Sequence, residues 1–251
     1  MSFGYEQFAQ FYDRLTGNVD YDTIAMLVHE LVQKYADYKE VILDLACGTG
    51  SLSEKLAQKG YDVVGVDNSP EMLEIALQKF EGKDLPVTLL QQDMTELELY
   101  GAVDCTVCIL DSFNHLSDKQ QLQKAFERVS MFTCDGGLFV FDLNTEYKHK
   151  QVLADNAFNF DNEDCFCAWQ NELADDASVH IYLDFFQKDN DGRYTRYSDD
   201  FMEILFENSF IENELKQNGF ELIGKYDDFS LEPVKETSQR VLWVCKKTAK
   251  K

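Results

Sequence analysis

Apolar positions recur along the chain with two different periods. Over residues 21–35 they fall at Ile24, Leu27, Val28, Leu31 and Val32, the i, i+3, i+4, i+7, i+8 spacing of an amphipathic helix. Beyond it, short apolar runs at 41–45, 62–66, 87–91, 103–110 and 137–142 read as strands. Helical stretches separate them. One spans 51–59 and is closed by Gly60; the next opens with Ser69 as N-cap and Pro70 at the first helical position. Ser117 with Gln120 reads as the capping box of a helix reaching about Phe132. Strands alternating with helices predict βαβ units, hence a mostly parallel sheet covered on both faces.

The pattern changes after about Glu146. From Asn159 to Phe206 the period is two, with strands at 165–173, 179–188 and 194–205 joined by turns at 174–177 and 189–192. An antiparallel sheet inserted after the fifth strand follows from this. The earlier pattern resumes with a helix from Ser209, boxed with Glu212 and ending at Gly219, then strands at 220–226 and 240–246. There is no internal repeat and no low-complexity segment.

Composition narrows the class. At 251 residues with 45% hydrophobic and 13% aromatic content, the chain has enough apolar material for a large core. No run approaches the roughly 18 apolar residues of a membrane span, and the N-terminus lacks the basic start and apolar stretch of a secretory signal. A cytoplasmic location is expected. The net charge of −23 comes without any basic stripe, which argues against a nucleic-acid substrate. Solubility accounts for most of the acid; attraction of an amine or other cation is the sharper reading. The 7 cysteines are read as buried reduced thiols. Cys105 with Cys108 and Cys165 with Cys167 do not stand at a zinc-binding spacing, so no metal is expected.

The chemistry concentrates where strands end. Asp44-Leu-Ala-Cys-Gly-Thr-Gly50 joins the first strand to its helix, and glycine there lets the backbone approach a ligand. Asp67 ends the second strand, where a carboxylate can accept from both ribose hydroxyls. A dinucleotide fits poorly: Ser53 replaces the third glycine of the fingerprint, and Asp44 would repel a pyrophosphate. Asp93 closes the third strand. Three acids after three consecutive strands suit a ligand with an ammonium, a ribose diol and an adenine amine. S-adenosylmethionine has all three.

LDLACGTG, VVGVDNS and LLQQDM together resemble the motifs of class I methyltransferases over about 41–143. The resemblance implies a three-layer α/β/α, Rossmann-like fold with a seven-stranded, mostly parallel sheet and the antiparallel insertion. It also implies an N-terminal helical segment (1–40) over the cofactor, a core of 41–150 and 206–251, and the insertion (151–205) as a cap on the acceptor side. Residue by residue, it implies that Asp44 meets the methionine amino group and that Ala46, Cys47, Gly48 and Gly50 supply close backbone. Asp67 would hold the ribose, Asn68 would lie against adenine, Asp93 would accept from its amine, and Met94 would pack beside the ring. Leu110 and Asp111 would line the methyl-transfer site. Phe8 to Asp13 and Asp20-Tyr21 resemble the family's N-terminal segment, making Tyr12 and Tyr21 candidates to touch the cofactor. Ala46 stands where many members have glycine, and Asn68 where an apolar residue is usual. The stretch 109–116 resembles small-molecule N-methyltransferases acting on glycine.

The expected reaction is direct in-line methyl transfer to a small-molecule nitrogen or oxygen nucleophile, with Asp111 or His115 as base or orienter. No Ser-His-Asp or cysteine arrangement points to a covalent intermediate. Phe158, Phe160, Phe166 and Trp169 are expected to build the insertion's own small core. Its acids (Asp161, Glu163, Asp164, Asp175, Asp176, Asp199, Asp200) weakly favour an amine. The competing readings are a non-catalytic cofactor-binding module that works through a protein partner, and a nicotinamide-dependent dehydrogenase.

Overall fold

The computed structural model describes residues 9, 11–13, 16–162 and 164–248. Phe8 and Glu163, named in the sequence reading, lie outside the described residues. Strands β1 (Val41–Leu45), β2 (Asp62–Asp67), β3 (Val87–Gln91), β4 (Val103–Cys108), β5 (Thr133–Asn144), β10 (Phe220–Asp227) and β11 (Arg240–Lys247) form one seven-stranded sheet in the order β10-β11-β5-β4-β1-β2-β3. β1 to β5 are parallel; β11 runs antiparallel to both of its neighbours. The strand order switches between β1 and β4, the place where such sheets open a ligand crevice.

Alternation of side chains sorts the core into two layers. Leu138, Val140, Leu242 and Val244 face helices α1 (Tyr21–Tyr35) and α2 (Ser51–Gln58). Phe139, Phe141, Trp243 and Cys245 face α4 (Lys119–Phe132) and α5 (Asn208–Gln217). Helix α3 (Pro70–Phe80) follows β2, capped as expected by Ser69, whose hydroxyl accepts from Met72 N. The three-layer α/β/α architecture is thus the one the sequence implies. No helix of the described residues is long and apolar enough to cross a membrane.

A second sheet holds β6 (Ala157–Asn162), β7 (Cys165–Leu173), β8 (Val179–Lys188) and β9 (Tyr194–Glu203), all antiparallel. Its inner face packs Cys167, Val179, Ile181 and Phe185 around Phe11 from the N-terminal segment. Phe11 stacks on Phe185 at 5.1 Å.

Local details differ from the sequence reading. α4 is capped by Asp118 rather than Ser117: Asp118 accepts from Gln121 N, while Gln121 Oε1 accepts from Ser117 N. The cap therefore sits one residue later, with Gln121 reaching back to the N–H before it rather than to the cap's own, because an aspartate competes well for the same turn. α5 begins at Asn208 after Glu207, without a side-chain cap, so the Ser209–Glu212 box does not form. β4 stops at Cys108, since Leu110 and Asp111 adopt left-handed backbone at φ 59° and 54°. β6 is an added edge strand. All seven cysteines are free thiols, five of them buried.

Phe126 is fully buried and meets the rings of Phe113, Phe139 and Phe141, each with its centroid 5.3 Å away. Phe126→Ala is expected to cost about 3–5 kcal/mol in urea denaturation through the cavity left behind. A loss below about 1 kcal/mol would show that this cluster is not the centre of the core.

Candidate functional site

One cleft of about 470 Å³ opens at the carboxyl ends of β1 to β4 and continues under the second sheet. On the sheet side Ala46, Gly48, Asp67, Asn68, Asp93 and Met94 line it. The turn after β1 is left-handed at Ala46 (φ 60°), Gly48 (φ 53°) and Gly50 (φ 73°). Gly50 is needed for packing, because a Cβ there would sit 2.6 Å from Phe80 Cζ. Gly48 is different: a Cβ would point into the cleft, 3.9 Å from Tyr12 Cε1. The turn is tied to β2, with Cys47 N donating to Val66 O at 2.9 Å and Gly48 N donating to Asp67 Oδ2 at 2.8 Å. Asp67 Oδ1 accepts from Ser69 N at 2.9 Å. Each carboxylate oxygen keeps a further lone pair for a ligand. Burial pushes the Asp67 carboxyl up, against these two backbone hydrogen bonds.

Asp44, Cys47, Gly50 and Tyr21 are not among the lining residues. Asp44 is buried beneath the turn, where its Oδ2 accepts from Ser53 Oγ at 2.5 Å. Burial pushes its carboxyl up to about 7; the Ser53 hydroxyl opposes this, and the Asp67 charge adds to it. The Cys47 thiol is likewise pushed well up by burial. Tyr21 opens α1, and burial lifts its phenol to about 12. At the third strand, Asp93 Oδ1 accepts from Thr95 N at 2.7 Å and Thr95 Oγ1 at 2.8 Å, which fixes the short turn that carries Met94.

The N-terminal segment straps across this half of the cleft. Tyr12 lines it, Asp13 accepts from Thr49 Oγ1 at 2.5 Å, and Lys79 Nζ of α3 pairs with Asp13 at 2.8 Å. With Phe11 stacked on the second sheet, three consecutive residues bind both parts of the fold.

The other half gathers Leu110, Asp111 and His115 from the loop after β4, with Trp169, Phe201 and Glu203 from the second sheet. Asp111 Oδ1 accepts from Arg240 Nη2 at 2.6 Å. Arg240 Nη1 donates to Asp142 Oδ2, which also accepts from Asp111 N at 2.9 Å. Burial raises the Asp111 carboxyl, but Arg240, helped by Lys148 and His115, outweighs it and holds the group well below the usual range. His115 Nε2 lies 3.9 Å from Asp111 Oδ2, and its ring packs 4.9 Å from Phe201. One nitrogen from His115 and one oxygen each from Asp111 and Glu203 lie within 4.8 Å of one another. Arg240 already pairs with Asp111 through Oδ1, on the other oxygen from the one that faces His115.

The insertion's aromatics divide. Phe160 and Trp169 line the cleft, Phe158 packs with the inner cluster, and Phe166 pairs with Phe186 at 6.2 Å. Of the acidic run, none of the described members lines the cleft. Arg240, Asp142, Lys148 and Glu203 escaped the sequence reading. Asp142 and Asn144 at the end of β5 answer to the same strand-end rule that singled out Asp67.

A methyltransferase-domain family matches residues 42–137. A solved S-adenosylmethionine-dependent methyltransferase from Clostridium acetobutylicum ATCC 824 is 34% identical, with a TM-score of 0.89 over 98% of this chain and 99% of that one. The chain belongs to the S-adenosylmethionine-dependent methyltransferases. A Geobacillus sp. (strain WCH70) relative, 34% identical over 97% of this chain and 99% of its own length, also bears a methyltransferase name. The glycine/sarcosine N-methyltransferase of Halorhodospira halochloris is 25% identical over 87% of this chain and 80% of its own. The sugar N-methyltransferase KedS8 of Streptoalloteichus shares the fold at 20% identity, with a TM-score of 0.79 over 99% and 94% of the two chains.

S-adenosylmethionine is accordingly the cofactor, and the site suits it. The Gly48 backbone leaves room that a Cβ would fill, and among the described residues no lysine or arginine pairs with Asp44, whose carboxyl burial pushes up to about 7.

Because folded Asp44 keeps its proton to about pH 7 while the unfolded group releases it near 4, its ionisation disfavours the cofactor-free fold as pH rises between those values. Asp44→Asn should therefore gain in Tm relative to the natural protein from about pH 4 to 7, then hold a constant difference above that. A pH-independent difference in calorimetry would remove the buried-carboxyl account.

Proposed function

We propose that this methyltransferase acts on the amine of a small molecule. The observation that carries this reading is the roof. The second sheet closes over the loop after β4 and is fastened there, with Ile204 N donating to Asn114 O at 2.7 Å and Asn114 Nδ2 donating to Ile204 O at 2.8 Å. An acceptor must fit beneath Trp169 and Phe201, which suits a small molecule better than a polymer. The charge balance of −23 weighs against a polyanion. The relatives named for N-methylation of glycine, sarcosine or a sugar support a nitrogen nucleophile.

In this reading Asp67 accepts from the ribose hydroxyls through its remaining lone pairs. Asp44, Ala46, Cys47, Gly48 and Gly50 form the base of the methionine end; Asn68, Asp93 and Met94 serve the adenine; Tyr12 belongs to the strap, and Tyr21 opens α1 behind it. The cofactor supplies a sulfonium-bound methyl group, which passes to the acceptor lone pair as the S–C bonding electrons return to sulfur. The residues' task is to align the two partners, an effect worth on the order of 7–11 kcal/mol. Asp111, locked to Arg240, is a poor proton acceptor and a good fixed charge. His115 takes the amine's proton and Asp111 steadies the imidazolium that results.

Two variants test the assignments. Asp67→Ala is expected to weaken S-adenosylhomocysteine binding roughly 10- to 150-fold in calorimetric titration, the size of a lost charged hydrogen bond. His115→Gln is expected to lower kcat by about 10²–10⁴ while leaving cofactor affinity unchanged. Full activity in the second variant would move the proton-accepting role elsewhere.

A further inference from the structure

The acceptor half of the cleft holds two opposite charges that the fold keeps apart. Lys148 and Glu203 both line it. In a chain with 46 acidic residues against 23 Lys and Arg, a cleft lysine would ordinarily be met by a carboxylate. Among the described residues no ion pair includes Lys148. Its ammonium donates instead to Asn144 Oδ1 at 2.9 Å. The other end of the same amide, Nδ2, donates to Glu203 Oε2 at 2.7 Å. Only this orientation of the amide is chemically consistent, since an ammonium cannot accept and a carboxylate cannot donate.

Asn144 is a fixed spacer. It is buried at the end of β5, and its own N–H donates to Asn114 Oδ1 at 3.0 Å. Glu203 is only 3% exposed, and no Lys or Arg of the described residues pairs with it. His149 Nε2 lies 3.7 Å away, but burial pushes that imidazole towards its neutral form. Lys148 acts on Asp111 at longer range, yet Asp111 is already bonded to Arg240. A cation and an anion thus stand on either side of one neutral amide, both facing the cleft. Partly desolvated charges that have a hydrogen bond but no directly bonded opposite charge are costly, and a ligand of the opposite polarity would compensate both.

We propose that the acceptor is a zwitterion of the amino-acid class, its carboxylate held by Lys148 and its amino group by Glu203 beside His115. The inference rests on the small-molecule amine reading and narrows it. The ammonium gives one proton to His115. The freed lone pair forms the new N–C bond while the S–C bond breaks and its electrons stay on sulfur.

The test offers the purified protein and S-adenosylmethionine three matched sets: the proteinogenic and ω-amino acids, their amides, and the corresponding amines without a carboxylate. Release of S-adenosylhomocysteine is read by chromatography. The expected result is turnover of at least one amino acid, with kcat/KM about tenfold or more lower for its amide. Lys148→Met is expected to raise KM for that amino acid by about tenfold, with S-adenosylhomocysteine affinity unchanged and Lys148→Arg largely restoring the natural value. Equal turnover of amides or plain amines, or an unchanged KM in Lys148→Met, would overturn the zwitterion proposal and leave the amine reading standing. Absence of transfer to every nitrogen compound, with cofactor binding intact, would overturn the amine reading itself.

Discussion

The open end of the sheet depends on one largely enclosed guanidinium. Arg240 starts β11 and reaches Asp111 after β4 and Asp142 on β5, so a single side chain joins three strand ends. Two carboxylates so close together would repel one another if no cation stood between them. Their pairing also offsets backbone strain. Leu110 and Asp111 are successive non-glycine residues with left-handed φ, each costing on the order of 1–3 kcal/mol. Hydrogen bonds to charged groups, at about 1.5–3 kcal/mol each, are of the right size to hold them there. The strained turn is what brings Leu110 and His115 beneath the second sheet.

The two halves of the cleft are built by different means. The half at the ends of β1 to β3 is mostly backbone and strand-end carboxylate: the turn of Gly48 lies against Asp67, and the peptide hydrogen bond between them is short and charge-assisted. Rigid parallel strands fix these positions, and they need little help from distant residues. The half beneath the second sheet is a composite of the loop after β4, the end of β5 and the inner face of that sheet. Its charges are set by side chains far apart in the chain, and only the strap of residues 11–13 links the second sheet to the turn after β1.

Much of the scaffold was legible because its signals are local. β1, β3, β7 and β8 lie at the residues their apolar patterns indicate, and Ser69-Pro70 starts a helix for reasons contained in four residues. Errors arose where neighbouring residues compete for one role. Asp118 took the cap from Ser117, and Glu207 ended the extended segment ahead of Ser209. β6 lacked a pattern of its own. It is an edge strand, paired only with β7, and Phe160 faces the cleft instead of completing a buried stripe.

The sequence by itself determined the alternation of strands and helices, the turn at Gly48 and the acids that end β1, β2 and β3. A strand's carboxyl end is a local property, and parallel strands carry those ends to a common edge. Only the tertiary structure decided which side chains share the half of the cleft beneath the second sheet. Arg240 is 129 residues from Asp111, and Glu203 is 59 from Asn144. Contacts across such separations leave no periodic trace, because they are fixed by how β11 and the second sheet return to the edge that the first strands define.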